Sequence, residues 1–262
     1  VIANNMPGKK DALNQTVSFL SKRDGLDKVL KLGKYLSGLG IELDKKKVAP
    51  KQGGVDWSQL ESALSLSRKA FRLGKFLNNV KKFRALLAAQ SSSPSNSKTE
   101  EEKEKSRNAA TSQRERAFLV LSLVFNFSEG VYYFLDQFQF LVKAKMVNKK
   151  GKTAKEVKRW ATYFELLSYV ADSVCQCLHI QKEEHNRRSR SIAETKEDRK
   201  MKAEAEAEAK AEREIFESKV VLLQNGADFL MALNDLREVD QGLGNPSFLA
   251  LLGVLSAVIG IR

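Results

Sequence analysis

Residues 117–142 read AFLVLSLVFNFSEGVYYFLDQFQFLV. Across these 26 residues only Glu129 and Asp136 carry charge. A helix needs about 20 mostly apolar residues to cross roughly 30 Å of hydrocarbon, so the stretch has the length of a membrane span. The two carboxylates make it an imperfect one. They stand seven residues apart, on one helical face. Ionisable groups at membrane depth avoid lipid. That face therefore looks either into a helical bundle or onto a polar pore.

A second apolar stretch closes the chain: NPSFLALLGVLSAVIGIR, residues 245–262. Asn245 suits an N-cap and Pro246 the first helical position. No charge occurs from Pro246 to Ile261. Sixteen residues make a helix of about 24 Å, slightly short for a bilayer. Gly253 with Ala257, and Ser256 with Gly260, are pairs of small residues four apart. Such pairs let two helices approach closely, so Gly253, Ala257 and Gly260 are the expected packing residues. The alternative is a plain anchor.

Outward from these two stretches, a helical period organises the chain. Residues 11–42 carry Leu13, Val17 and Leu20 on one face, then Leu26, Val29, Leu30, Leu36 and Leu39, and Gly38 and Gly40 are expected to end that helix. A Lys/Pro/Gly loop follows over 43–56, then a second helix over 58–89. QSSSPSNSKT, residues 90–99, reads as a linker, and the charged stretch to 116 continues the break. Residues 155–181 place Trp160, Phe164, Leu167, Ala171, Val174 and Leu178 on one stripe. Residues 194–219 are rich in Ala, Glu and Lys without an apolar face, so a solvated helix or a linker is expected, and 220–236 are amphipathic. With 4 Pro, 15 Gly and no strand-like alternation, the chain reads as all-α. The expected fold is an integral membrane protein with amphipathic surface helices and a hydrophobic C-terminal helix. Its regions are a basic amphipathic part (1–89), a polar linker (90–116), a hydrophobic helical part (117–193), a charged helix or linker (194–219) and an amphipathic helix with an anchor (220–262).

Charge points to the partner. The net charge is +13, and residues 1–90 hold 18 Lys/Arg against 7 Asp/Glu. Residues 143–160 add 8 Lys/Arg against Glu156. A basic field this concentrated seeks a phosphate backbone or a headgroup surface. Its sharpest part is SLSRKAFRLGKFLNNVKKFRALLAA, residues 65–89, with seven Lys/Arg and no acid. On a helical wheel Arg68, Lys69, Arg72 and Lys75 fill one arc, while Leu66, Phe71, Leu73, Leu77 and Val80 fill the other. After Val80 the phase breaks, and Lys81 and Lys82 land where the apolar face had been. A helix with one apolar face and a purely cationic polar face fits an anionic bilayer surface, its long side chains reaching the headgroups. A bundle helix with a solvated basic face has the same pattern, and the two hydrophobic stretches elsewhere favour the membrane. Nucleic acid is not expected as a partner, because neither a groove-fitting motif nor interleaved stacking aromatics occur.

Catalysis is poorly supplied. The chain has two histidines and lacks a phosphate loop, a Gly-x-Ser-x-Gly elbow and an H-E-x-x-H motif. Cys175, Cys177 and His179 imitate a metal site, but residues two apart on a helix point to different faces, and Cys175 with His179 do not close a tetrahedron. No catalytic, cofactor or metal residue is expected. Two cysteines suit a reducing compartment, and neither a secretory signal nor a C-terminal Ser-Lys-Leu address is read.

SKRDGLDKVLKLGKYLS (21–37), SRKAFRLGKFLNNVKKF (67–83) and NPSFLALLGVLSAVIGI (245–261) resemble, in order, segments of the peroxin-eleven family of peroxisome-proliferation membrane proteins. The Arg-Lys-x-x-Arg-x-Gly-Lys block at 68–75 is the most specific part. The resemblance spans most of the chain and departs at 90–116 and 194–219. It implies a peroxisomal membrane protein that elongates and divides the organelle, self-associates, and works with fission adaptors and a dynamin-related GTPase. It also implies that 66–82 matches the family's amphipathic helix. The runner-up function is a channel for small metabolites, and a third reading is a soluble helical interaction protein.

Overall fold

A computed structural model describes residues 24–45, 55–91, 102–147, 152–193, 201–237 and 245–261. They form seven helices: α1 (Asp24–Lys45), α2 (Trp57–Phe71), α3 (Phe76–Ser91), α4 (Glu102–Lys143), α5 (Lys152–Ala193), α6 (Met201–Arg237) and α7 (Pro246–Ile261). Among the described residues there is no strand. The helical reading of 11–23 and most of the 90–99 linker lie outside them.

Local chemistry sets several ends. Asp56 caps α2, its carboxylate accepting from the N–H of Ser58 (3.1 Å) and Gln59 (3.0 Å). Asn245 caps α7 as expected, accepting from the Ser247 N–H at 3.1 Å. The single helix expected over 58–89 is instead two, α2 and α3, parted by a turn. Gly74 sits there at φ 76°, a left-handed conformation that favours glycine. Gly38 and Gly40 do not end α1, which runs on to Lys45. Gly40 serves close packing instead: a Cβ there would lie 2.7 Å from the Trp57 ring. The charged stretch after the first linker is also helical, because α4 starts at Glu102. Likewise α6 runs unbroken through 219, burying Ala211, Ile215 and Ser218 on a side made mostly of small residues. A stripe of Ala and Ser escapes a search for large apolar residues.

Helices that follow one another pack together. α1 packs on α2, α2 and α3 on α4, α4 on α5, α5 on α6, and α6 on α7. α7 then returns to α1 and closes a ring. Neighbours run antiparallel: Gly40 lies near Trp57 while Asp27 reaches Arg68, and Lys31 meets Ser256 while Gly38 faces Ala250.

The ring is polar within and apolar without. Asp27 and Lys31 of α1, Arg68 of α2, Asp136 of α4 and Asp228 of α6 are buried, and most of the buried apolar residues are alanines. Large apolar side chains point outward at helical spacing. On α4 these are Val120, Phe127 and Phe134, the last 59% exposed. On α5 they are Trp160, Leu167 and Val174, on α6 Phe216, Leu223 and Leu230, and on α7 Phe248, Leu251, Leu255 and Val258. Leu73 in the α2–α3 turn and Val80 and Leu87 on α3 continue the pattern. A fully exposed Leu or Phe forgoes about 1.5–3 kcal/mol of burial in water, so rows of them on every helix call for a lipid surround. Residues 113–143 are long and apolar enough to cross a bilayer, and 246–261 are apolar but shorter. The chain is an all-α integral membrane protein.

Candidate membrane-contacting surface

The basic arc of residues 68–82 is divided by the fold. Three of its cations turn inward. Arg68 places Nε 3.2 Å from the Asp27 carboxylate, and Arg72 donates to the same carboxylate at 3.2 and 3.3 Å. Arg72 also donates through Nη1 to the Tyr132 hydroxyl at 3.0 Å. Lys69 pairs with Asp136 and donates to Gln139 at 3.2 Å. Lys75 lies over the Tyr133 ring, 5.0 Å from its centroid. Asp27 on α1 and Asp136 on α4 draw these cations in, since a buried charge is tolerated only when paired. Lys81 and Lys82 remain exposed, as does Arg84 beyond them.

The apolar arc looks outward. Leu73 and Val80 are exposed, while Leu66, Phe71 and Leu77 are half-buried. α3 packs on α4, where Phe76 meets Phe134 edge-on at 5.8 Å and Phe83 meets Phe127 at 6.3 Å. The outward side of the helix pair is thus an apolar row, Leu73–Val80–Leu87, with the exposed Lys81, Lys82 and Arg84 beside it.

Glu129 and Asp136 share one face, as their spacing requires. Glu129 accepts from Asn79 at 2.9 Å and from the Tyr133 hydroxyl at 3.2 Å. Both carboxylates are therefore engaged by side chains, with Asn79 and Lys69 reaching in from α3 and α2. The same kind of pairing continues around the ring. Glu165 of α5 accepts from Tyr169 at 3.1 Å. Asn225 of α6 donates to Asp172 of α5 at 2.7 Å. Lys31 of α1 donates to Asp228 of α6 at 2.7 Å and to Ser256 of α7 at 2.6 Å, and Ser256 donates to Asp228 at 2.7 Å. Lys31, Asp228 and Ser256 thus fasten three helices at one point.

On α7, Gly253, Ala257 and Gly260 all sit on packed ground. A Cβ on Gly253 would land on the Tyr35 ring, and one on Gly260 would lie 2.8 Å from the Lys28 side chain. Ala257 is fully buried. The helix they admit is α1 of the same chain. Among the described residues no group of three metal-ligating side chains occurs.

Sequence reasoning missed Asp27, Lys31, Tyr35 and Asp228. Asp27 and Lys31 each interrupt a leucine-rich run, LDKVLKL, and a charge inside an apolar run is the signal that it has a partner. The identity of that partner, 197 residues away for Lys31 and Asp228, leaves no local trace.

Comparison with known proteins identifies the family. The family model of Peroxisomal biogenesis factor 11 matches residues 13–262. Peroxisomal membrane protein 11-3 of Oryza sativa subsp. japonica is 29% identical over 97% of this chain and 88% of its own length. Peroxisomal membrane protein 11A of Arabidopsis thaliana is 28% identical over 97% of this chain and 92% of its own length. No solved structure matches. With one family's pattern running through almost the whole of a ring whose apolar side chains face outward, the chain belongs to the Peroxisomal biogenesis factor 11 family of peroxisomal membrane proteins.

Proposed function

We infer that this protein remodels the peroxisomal membrane. The α2–α3 pair presents its apolar row to the lipid, and an excess of that area in the cytosolic leaflet bends the membrane. Elongation of the organelle, and then its proliferation and division, follow. The single observation that carries this reading is the outward row Leu73–Val80–Leu87 beside the exposed Lys81 and Lys82. Arg68, Lys69 and Arg72 hold the pair to α1 and α4, so that it inserts as part of a fastened body; if the pair detaches, the same three cations join the headgroup-binding set. The proposed partners are anionic phospholipid, further copies of the chain, and, through family resemblance, a fission adaptor and a dynamin-related GTPase.

The test uses the full chain reconstituted in anionic vesicles. Leu73→Glu with Val80→Glu places two carboxylates on the outward row. Tubulation is expected to fail while the protein stays in the membrane through α4 and α7. Tubules of unchanged number would refute the wedge. The runner-up, conduction through a pore lined by Glu129 and Asp136, predicts the opposite pattern: lost conductance on neutralising those two, with tubulation untouched.

A further inference from the structure

A cavity of about 410 Å³ opens at the end of the ring where α1 and α6 finish and α2 and α7 begin. Its charged lining is Lys34 of α1, Glu61 of α2 and Asp235 of α6, with Glu42 and Lys45 satisfying each other at 2.7 Å. Lys31 and Lys69, farther along the ring, are paired with carboxylates. Lys34 lies within electrostatic reach of both Glu61 and Asp235 and 4.8 Å from the Tyr35 ring centroid, but among the described residues none of the three closes an ion pair. Ile41, Met231 and Leu249 give the cavity an apolar wall.

Its depth in the membrane follows from α7. Pro246 lines the cavity and also begins the charge-free run of that helix. The cavity therefore sits where α7 enters hydrocarbon, at headgroup level. Lys143 at the end of α4 and Lys155 near the start of α5 lie at the same end of the antiparallel ring. The helix termini there are of both kinds. The start of α7 favours an anion, and the ends of α1 and α6 favour a cation.

We propose that this cavity binds a headgroup carrying a phosphate and a primary amine, that of an aminophospholipid. Lys34 takes the phosphate, and Glu61 and Asp235 take the ammonium. A primary ammonium donates hydrogen bonds to both carboxylates. A choline headgroup has no N–H and is held by cages of aromatic rings, whereas this lining holds one aromatic residue, Tyr35. The volume lies within the usual range of small-molecule sites, about 300–1,000 Å³, and leaves room beside the headgroup for the glycerol, against Ile41 and Leu249.

The experiment measures binding of dihexanoyl phosphatidylethanolamine and dihexanoyl phosphatidylcholine to the purified full chain by calorimetry. The ethanolamine lipid is expected to bind about tenfold more tightly or better, from two charge-assisted hydrogen bonds the choline lipid lacks. Glu61→Gln with Asp235→Asn should erase that preference, and Lys34→Gln should weaken both lipids. Far-ultraviolet circular dichroism checks that the variants keep their helices. Free O-phosphoethanolamine separates the two sources of this chemistry. Failure of the free compound to compete supports the lipid, and competition equal to the lipid's overturns it in favour of a soluble aminophosphate. Equal binding of the two lipids by the unaltered chain overturns the proposal, as does an undiminished preference in a helical double variant.

Discussion

Lys31 is the point at which the ring is most open to test. Its ammonium lies 2.7 Å from Asp228 and 2.6 Å from Ser256, and both charged side chains are 8% exposed. Replacing Lys31 by Met keeps the length of the side chain and strands the Asp228 carboxylate in the interior. Breaking a buried pair from one side costs about 3–5 kcal/mol, while replacing both partners by apolar groups of similar size is often neutral. Lys31→Met should therefore destabilise by about 3–5 kcal/mol, and Asp228→Leu by a similar amount. The double variant should recover most of the loss, leaving a coupling of about 3 kcal/mol or more. Ser256 keeps a hydroxyl with no charged partner in the double variant, at about 1–3 kcal/mol, so recovery should be incomplete. The assay is reversible unfolding from mixed micelles into sodium dodecyl sulfate, followed by circular dichroism, for all four members of the cycle. Additive single losses would refute the pairing, because two charges that never meet cannot rescue each other.

Other outcomes follow from single positions. Gly253→Leu drives a side chain into the Tyr35 ring and should detach α7 from α1; Tyr35→Ala in the same chain should restore packing, read as protease protection of the C-terminus. Gly74→Ala should cost about 1 kcal/mol because the residue is left-handed, whereas Gly226→Ala, inside α6 with no atom within 4 Å of the new Cβ, should gain about 0.5–1 kcal/mol. Both are measured by the same unfolding titration. Asp136→Asn removes the charge opposite half-buried Lys69 and should destabilise far more than Glu129→Gln, whose partners Asn79 and Tyr133 are neutral. Arg187→Ala cuts exposed bridges to Glu208 and Glu212 and should change stability by less than about 1 kcal/mol.

The apolar stripes were legible; the direction they face was not. Trp160, Leu167 and Val174 recur at helical spacing, and in water such a stripe would be a core. Here those three face outward while Ala171 of the same expected stripe is buried, and the interior holds residues that a hydrophobic pattern ignores, such as Ser168 on the same helix. α4 and α7 stood out because nearly uncharged runs have few other uses. The break at Gly74 was missed because a lone glycine in a helical pattern is usually tolerated. The reading of 68–82 treated one unbroken helix with a cationic arc and an apolar arc, whereas the fold breaks it at Gly74 and turns part of the cationic arc inward. It did not reveal that Arg68 and Arg72 meet Asp27, because one sequence holds no record of which distant carboxylate lies opposite. The α6 stripe of Ala211, Ile215 and Ser218 was invisible for a different reason: small side chains signal close approach, not hydrophobicity.

The closed order of the helices sets the order in which the molecule can be built. Most of its helix contacts join elements adjacent along the chain or one helix apart, and such contacts form early because little chain entropy is lost in bringing them together. The seam between α1 and α7 is the exception, joining Lys31 to Ser256 across 225 residues. It forms only when α7, sixteen residues long, arrives. Until then the Lys31 ammonium and the Asp228 carboxylate lack the Ser256 hydroxyl that binds them both, and the flank of α1 that receives α7 stays uncovered. A chain stopped before Pro246 is thus an open arc with charge along its cut edge, a form suited to capture by chaperones or proteases. Burial of that charge and the docking of α7 are one event, so α7 acts as the clasp that turns an open arc into a closed ring.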